Sequence, residues 1–422
     1  MNDSDIRSRV HQYLIQKTNF LKIKDTLSED QLRIFVDKAI TDICYEEDLE
    51  MSMEIRISLI RSLVSAVISM GPIRPLMEDK TITEIMVNGS DKIYVQKEGK
   101  IHLTDIKFEN NNTLLHTVQK LLVSSGSSRR VDESSPYVDF SLGDGSRVNV
   151  ILPPCSLVGP VLTIRKFSSD INTVEDLINR KMFNDDMAEM LIASMHGKLN
   201  IVFCGATGTG KTTALNVLSR HIDQEERIIT IEDTPELRLM QEHVVTLQSK
   251  SANIEGKGVI TIRDLFVNSL RMRPDRIIIG EVRSDEMLDL IQSISSGHTG
   301  SLAIVHADSP EDCFNRMVTM MMMAGIQLST EEIRKQVARA IDLIVHIELF
   351  PDGVRRITYL TDSYFDEASG QIKLEDVFKF VQDELKEDGK IIGHWEKTKK
   401  KPYFFPKLVK RHVYLSTDFF DK

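Results

Sequence analysis

Apolar residues follow three different spacings along the chain. Up to residue 70 they recur every three or four positions, the helical spacing, at Leu32, Phe35, Val36, Ala39, Ile40 and Ile43. Ser28 and Gln31 have the spacing of a capping box, and a second amphipathic run covers 55–68. We therefore expect an N-terminal helical segment over residues 1–70, which either packs on the next domain or docks a partner.

From residue 71 to 168 the apolar positions alternate with polar ones, which is typical of short strands. The runs 83–87 (TEIMV) and 92–95 (KIYV) are joined through Asn88-Gly89, a strong hairpin signal. This region is predicted to be a compact α+β domain. Residues 169–197 are then predicted to form linker helices, with Asn184 as an N-cap.

Between 198 and about 360, continuous apolar runs alternate with helical patterns, the signature of a parallel α/β sheet. The predicted strands are 199–204, 227–231, 276–279, 302–305 and 343–347. The domain is expected to continue to residue 422 through a basic extension with clusters at 397–401 and 407–411. Such clusters form either a solvated face or a surface for acidic lipid or a partner.

The first predicted strand leads into a glycine-rich loop, in the segment LNIVFCGATGTGKTT at 199–213. Its glycines let the backbone curl so that successive N–H groups face a polyphosphate at a helix N-terminus. Lys211 would reach the terminal phosphates of ATP, and Thr212 would ligate Mg²⁺. The predicted nucleotide site consists of Gly205, Ala206, Thr207, Gly208, Thr209, Gly210, Lys211, Thr212 and Thr213.

Acidic residues follow the next two strands, at the sheet edge where ligands of open α/β sheets bind. Glu232 and Glu236 lie in RIITIEDTPEL (227–237), and Glu232 joins Thr212 as a candidate Mg²⁺ ligand. In DRIIIGEVR (275–283), Gly280 stands where most phosphate-loop enzymes have Asp. Glu281 is therefore the candidate for orienting the attacking water.

Two histidines lie in SGHTGSLAIVHADSP (296–310), His298 before the predicted strand and His306 after it. No i, i+4 pair and no third ligand accompanies them, so contact with a γ-phosphate is a more economical role than metal binding.

Composition narrows the classes of function. The net charge of -10 argues against non-specific duplex binding, so no nucleic-acid partner is expected. The four cysteines form no CxxC pair, which indicates neither a disulfide framework nor a zinc site and fits a reducing cytoplasm. The sequence contains no signal-peptide pattern and no apolar run long enough for a membrane span, so only peripheral membrane contact is expected.

Four segments in this order resemble the motifs of the type II and type IV secretion-system ATPases. They are GATGTGKT for the phosphate loop, TIEDTPEL for the Asp box, MRPDRIIIGEVR for an atypical Walker B segment and SGHTGSLAIVHADSP for the His box. The nearest resemblance is to the Tad/Flp pilus-assembly ATPases of the TadA or CpaF type. It extends through TITEIMVNG, VDESSPYVD, DGSRVN, LTIRKFS and NIEGKG, whereas the first 70 residues match mainly in pattern.

This resemblance implies a RecA-like C-terminal domain preceded by an N-terminal domain. It implies a cytoplasmic homohexamer at the inner face of the cytoplasmic membrane, which hydrolyses MgATP to power pilus assembly or protein secretion. A polytopic inner-membrane platform protein would be its partner. The site positions that the resemblance implies are Lys211, Thr212, Glu232, Glu236, Glu281, His298 and His306. Arg147 and Arg165, in DGSRVN and LTIRKFS, resemble the N-domain arginines that approach the γ-phosphate.

Other interpretations stay open at this point. Gly280 in place of Asp is compatible with a nucleotide-gated adaptor that binds ATP with little turnover. A conjugation-type, DNA-transfer ATPase of a type IV secretion system is a further alternative, although the acidic charge disfavours a helicase. No NKxD or LSGGQ segment indicates a GTPase or an ABC protein.

Overall fold

The computed structural model describes residues 29–46, 53, 56–57, 59–60, 70–97, 99–126, 129–167, 171–250 and 257–421. The chain divides into two units, Met1–Ser168 and Ser169–Lys422. Ser28 of the predicted capping box and most of the second amphipathic run lie outside the described residues. No helix in the described ranges is long and apolar enough to cross a membrane.

The first unit begins with helix α1 (Glu29–Glu46), whose buried residues have the helical spacing seen in the sequence. A 3₁₀ turn follows at Gly71–Ile73. The remaining elements are α2 (Arg74–Glu78), β1 (Ile82–Asn88), β2 (Lys92–Lys97), β3 (Lys100–Leu103), α3 (Asn111–Ser124), β4 (Tyr137–Ser141), β5 (Arg147–Ile151) and β6 (Val161–Arg165).

These six strands form one antiparallel sheet in the order β3-β2-β1-β6-β5-β4. The predicted hairpin is confirmed, because Val87 pairs with Ile93 and Gly89 has a φ of 71°, which glycine adopts without strain. Alternate strand residues and one face of α3 share a buried apolar cluster. The expected α+β architecture of 71–168 is therefore present.

The second unit contains a longer series of elements. They are α4 (Val174–Asn179), α5 (Asp185–His196), β7 (Ile201–Cys204), α6 (Lys211–Ser219), β8 (Ile228–Glu232), β9 (Val244–Gln248), α7 (Ile262–Ser269), β10 (Arg276–Ile279), α8 (Glu286–Ser295), β11 (Leu302–Val305), α9 (Pro310–Met323), α10 (Thr330–Ala340), β12 (Leu343–Leu349), β13 (Arg355–Asp366), β14 (Gln371–Leu385), β15 (Ile391–Lys397) and α11 (Phe405–Lys410).

Its nine strands form one sheet in the order β15-β14-β13-β12-β7-β11-β10-β8-β9. From β12 to β9 all neighbours are parallel, whereas β12 to β15 are antiparallel. Strands β7, β8, β10 and β11 are buried along their whole length, as expected for continuous apolar runs. The five predicted strands are confirmed, and β10 and β11 have the predicted bounds.

The helices predicted as a linker belong to the core of the second unit. Thr173 and Asp176 form a capping box at the start of α4, and the Asn184 side chain caps α5 as predicted. Leu177 and Met187 are buried in the same apolar cluster as residues of β7. These helices are therefore part of the unit and not a connecting segment, because its core covers their apolar faces.

The basic extension is also integrated into the second unit. The Trp395 indole N–H donates to the Ile357 carbonyl oxygen at 2.7 Å. Lys397 Nζ lies 2.6 Å from Asp186 Oδ2, and Lys407 pairs with the buried Asp342. These two lysines are thus held by acids of the same unit, and the role of the two basic clusters as a solvated face or as a surface for acidic lipid or a partner stays a prediction.

Candidate active site

The phosphate loop joins the centre of the large sheet to helix α6. Gly205, Gly208 and Gly210 have φ values of 148°, 78° and 94°. At Gly205 a Cβ would lie 2.1 Å from the Ile347 carbonyl oxygen, so neither the backbone angle nor the available space admits a side chain. A curled loop that ends at a helix N-terminus is the form that binds phosphate through backbone N–H groups.

Lys211, the first residue of α6, is buried within the curve of this loop. Its Nζ donates to the carbonyl oxygens of Gly205, at 2.9 Å, and Ala206, at 2.6 Å. Burial lowers the pKa of Lys211, while the nearby Glu281 charge acts in the opposite direction. Thr209 Oγ1 also donates to the Ala206 carbonyl oxygen, at 3.0 Å. The loop carbonyl groups therefore hold the Lys211 ammonium group in a fixed position. Thr207 is exposed, and Thr213 lies in the first turn of α6.

Two glutamates after β8 approach the start of α6 in different ways. Thr212 Oγ1 donates to Glu236 Oε2 at 3.2 Å. Glu232, the last residue of β8, is buried, and its Oε1 accepts from the backbone N–H groups of Glu236, at 2.8 Å, and Leu237, at 3.0 Å. Glu236 thus contacts the candidate Mg²⁺-binding hydroxyl directly, while Glu232 fixes the backbone of the acidic segment.

Gly280 provides the space that the Glu232 side chain occupies. A Cβ on residue 280 would lie 2.6 Å from Glu232 Cγ and 2.9 Å from its Oε1. Because β8 and β10 are neighbours, the carboxyl group of Glu232 lies where a side chain on residue 280 would begin. Steric exclusion by Glu232 therefore explains why glycine, and not the usual Asp, occupies position 280.

The carboxyl group of Glu232 also has one unsatisfied oxygen. Burial raises its pKa to about 7 against the effect of the two backbone hydrogen bonds, and its Oε2 is buried without a hydrogen-bond partner. Among the described residues, no three His, Cys, Asp or Glu side chains converge to cage a metal. Mg²⁺ needs no such cage, since it is usually bound through one or two carboxylates together with substrate phosphates. The Glu232 carboxyl and the Thr212 hydroxyl fit that requirement.

Glu281 lies between a histidine and an arginine at the ends of β10 and β11. Its Oε1 is 3.1 Å from His306 Nε2, and its Oε2 accepts from the Arg283 guanidinium. Burial acts to raise the pKa of Glu281, but the hydrogen bond and charge of Arg283, together with further positive charge nearby, outweigh it, so the pKa is lowered. Burial and the Lys211 charge lower the pKa of His306. A neutral imidazole thus faces an ionised carboxylate at neutral pH.

His298 lies at the other end of β11. It precedes this four-residue strand while His306 follows it, and such a strand spans about 13 Å. Near His298, the Gly300 N–H donates to Asn200 Oδ1, just before the start of β7. The structure therefore does not bring His298 to Glu281 within this chain, and the γ-phosphate role of the two histidines stays a prediction.

Arg147 and Arg165 belong to the first unit. They lie directly opposite each other on β5 and β6, and Arg165 Nε donates to Glu84 Oε1 at 2.7 Å. Their approach to a γ-phosphate stays a prediction.

Two residues that the sequence did not single out contact the loop region. Asn216, on α6, donates to the Glu236 carbonyl oxygen at 3.2 Å and accepts from the Arg238 N–H at 2.8 Å. Arg355, at the start of β13, donates from Nε to the Gly208 carbonyl oxygen at 2.9 Å. The position of Asn216 on the loop helix was a usable signal. Arg355 had none, because 147 residues separate it from Gly208.

The model of one protein family, described as type II/IV secretion system protein, matches residues 67–357. The chain belongs to this family. Protein VirB11 of Agrobacterium fabrum is 30% identical to this chain over 309 residues, covering 66% of this chain and 88% of the relative. The type IV secretion system protein VirB11 of Brucella suis is 29% identical over 326 residues, covering 70% and 88%. The solved VirB11 ATPase of the Brucella suis type IV secretion system, in complex with sulphate, is 28% identical and covers 71% of this chain and 95% of that chain, with a TM-score of 0.38.

As a member of the type II/IV secretion system family, the chain is a P-loop ATPase that uses a nucleotide. The resemblance to secretion-system ATPases is confirmed, and so is the expected fold class, an α/β phosphate-loop domain preceded by an α+β domain. Assignment to the Tad/Flp type stays a prediction.

Proposed function

We propose that this chain is the motor ATPase of a pilus-assembly or protein-secretion machine of the Tad/Flp type. It works as a homohexamer at the inner face of the cytoplasmic membrane, against a polytopic inner-membrane platform protein. The names of the VirB11 relatives and the four ordered motifs between residues 205 and 310 support this proposal. No nucleic-acid partner is proposed, in line with the acidic net charge.

The observation that carries the catalytic part of the proposal is the position of Glu281 between His306 and Arg283, at the sheet edge beside the phosphate loop. Because its pKa is lowered, Glu281 is ionised at neutral pH and can accept hydrogen bonds from a water molecule. The water oxygen attacks the γ-phosphorus, the bond from that phosphorus to the β–γ bridging oxygen breaks, and ADP leaves with this oxygen. His306 holds the carboxylate in place from the neighbouring strand.

The loop and the acidic segment bind the rest of the reacting group. Lys211 and the backbone N–H groups of 205–213 hold the β- and γ-phosphates. Thr212 and Glu232 would hold Mg²⁺, which would neutralise the charge of the phosphate oxygens. Glu236 orients the Thr212 hydroxyl through its hydrogen bond.

Phosphate release by the full chain, with and without phospholipid vesicles, tests this function. We expect Lys211→Ala to abolish nucleotide binding, and Glu281→Gln to lower kcat at least about a hundredfold while ATP binding remains. A matched control is Glu242→Gln, an exposed glutamate away from the site. Absence of hydrolysis in the wild type, together with unchanged nucleotide binding in Lys211→Ala, would refute the proposal. Mass measurement with a non-hydrolysable ATP analogue tests for six subunits.

A nucleotide-gated adaptor is the second candidate, and Gly280 in the usual Asp position is the observation that favours it. In an adaptor, Glu281→Gln would change neither nucleotide binding nor the slow basal release of phosphate. A DNA-transfer role is tested by a DNA titration at two salt concentrations, since charge-driven binding weakens steeply with salt.

A further inference from the structure

Arg355 contacts the phosphate loop at Gly208 and beside Gly210. Its Nε donates to the Gly208 carbonyl oxygen at 2.9 Å. Its Cδ is 3.1 Å from the point where a Cβ on Gly210 would lie, and the Met182 methyl is 3.2 Å from the same point. An exposed guanidinium and its apolar stem therefore cover the turn that leads into α6.

The sheet order fixes which end of a bound nucleotide this arginine would meet. The loop follows β7, and the strands that carry Glu232, Glu281 and His306 all lie on one side of β7. Strands β12 and β13, which carry Arg355, lie on the other side. A triphosphate whose γ end faces the acids must direct its α-phosphate and nucleoside away from them, toward β12 and β13.

The hairpin turn that presents Arg355 is rigid. Asp352 accepts from the Val354 N–H at 3.0 Å, from the Arg356 guanidinium at 2.7 Å and from the Ile391 N–H at 3.2 Å. The Arg356 hydrogen bond, opposed by burial, helps lower the pKa of Asp352 to about 2. In addition, the Ile357 N–H donates to the Met182 carbonyl oxygen at 2.8 Å, and this hydrogen bond joins β13 to the segment between α4 and α5. Because this turn is already ordered, a ligand that contacts Arg355 would bind without the entropic cost of ordering the backbone.

A guanidinium plane stacks on aromatic faces and donates hydrogen bonds to polar edges, and a purine ring with its ribose offers both. We propose that Arg355 contacts the nucleoside part of the bound nucleotide and thereby favours nucleotides over inorganic polyphosphate. This inference rests on the proposed phosphate site at 205–213, and it adds a residue on the opposite side of β7 from the proposed catalytic acids.

Calorimetric titrations of the full chain with ADP and with inorganic tripolyphosphate, each with Mg²⁺, test the proposal. In Arg355→Gln we expect ADP to bind about tenfold more weakly, with tripolyphosphate affinity within about twofold of the wild type. Arg355→Lys should recover little of the loss, because an ammonium group lacks the planar face. Arg339→Gln is the matched control and should change neither affinity. Arg339 is a surface arginine on α10 that pairs with Glu367, the residue after β13.

Three results distinguish the possible failures. Equal losses for ADP and tripolyphosphate would mean that Arg355 only supports the loop through Gly208, and the proposal would be wrong. Unchanged affinity for both ligands would also overturn it. If the wild type binds neither ligand, the phosphate site itself fails, and the nucleoside contact fails with it. Melting temperatures of all variants verify folding.

Discussion

His306 Nε2 lies 3.1 Å from Glu281 Oε1, so the first residue after β11 faces the second residue after β10 across the edge of the sheet. The pKa of His306 is lowered by burial and by the Lys211 charge, which keeps the imidazole neutral near pH 7. An ionised carboxylate can only accept hydrogen bonds, so the proton of this neutral imidazole belongs on Nε2. The pair is therefore arranged to hold Glu281 in one orientation.

The first prediction concerns this pair. His306→Ala should lower kcat about a hundredfold, because Glu281 loses its partner on β11, while the affinity for ADP changes little. Phosphate release and ADP titration measure the two quantities. His102→Ala, an exposed histidine on β3, serves as the control. Unchanged kcat in His306→Ala would contradict the assigned role.

The second prediction concerns the fit between Glu232 and Gly280. In Gly280→Ala the added Cβ would lie 2.6 Å from Glu232 Cγ, so the glutamate must leave its place and lose the hydrogen bonds from Glu236 and Leu237. We expect Mg²⁺-dependent hydrolysis to fall at least about tenfold. Gly143→Ala is the matched control, because its Cβ would meet nothing within 4 Å.

A reciprocal exchange sharpens that prediction. The double variant Glu232→Ala with Gly280→Asp places a carboxylate directly after β10, next to the space that Glu232 leaves. We expect it to be more active than either single variant, which a double-mutant cycle of hydrolysis rates would detect as coupling. A double variant that is no better than the weaker single variant would show that the two positions do not share one role.

The sequence predicted five of the parallel strands, because each of them is a largely apolar run that ends in glycine or a polar group, but it missed the parallel edge strand β9, none of whose residues is fully buried. It also predicted that Glu281 and His306 approach the loop, since both follow strands whose carboxyl ends share one sheet edge. Strand β14 could not be found in this way. Its charged residues are interleaved with apolar ones, and only pairing with β13 and β15 gives that pattern a meaning.

Contacts that depend on strand order were also beyond the sequence. Arg355 reaches Gly208 only because β12 lies beside β7 and β13 lies beside β12. His298 and His306 show the opposite case: they are close in sequence, which suggested that they belong to one site. A buried strand between them separates them instead.

The third prediction concerns the two arginines of the first unit. Arg147 and Arg165 are cross-strand neighbours, and like charges in this relation repel each other unless an anion or an acid compensates. Glu84 compensates for Arg165 in part, through a 2.7 Å hydrogen bond. We expect Arg147→Gln or Arg165→Gln to lower kcat about a thousandfold if they contact the γ-phosphate, as arginine fingers do.

The comparison of nucleotides gives this prediction its specificity. ADP has no γ-phosphate, so its affinity should stay within a few-fold of the wild type in both variants. Arg130→Gln, an exposed arginine 3.5 Å from Asp132, is the control. A parallel loss of ADP affinity would indicate a general effect on binding, and unchanged kcat would remove these arginines from the mechanism.

The last prediction concerns Asp362, a buried acid under the C-terminal segment. Its Oδ2 accepts from the Tyr403 N–H and its Oδ1 has no hydrogen-bond partner, so burial raises its pKa from the ordinary 3.8 to about 7. The folded protein thus binds this proton more tightly than the unfolded chain. Stability is therefore lost as the pH rises from about 4 to about 7. Asp362→Asn keeps an acceptor for Tyr403 and removes the charge, so it should stabilise the protein at pH 8, by roughly 4 kcal/mol at most, and should have little effect near pH 4.

Asp366→Asn is a control of opposite sign, because hydrogen bonds from Ser369 and Ala368 lower the pKa of Asp366 and its charge is favourable when folded. Chemical denaturation at pH 4, 6 and 8 measures the effect, and a gain for Asp362→Asn that does not grow with pH would show that this carboxyl is not held in its protonated form.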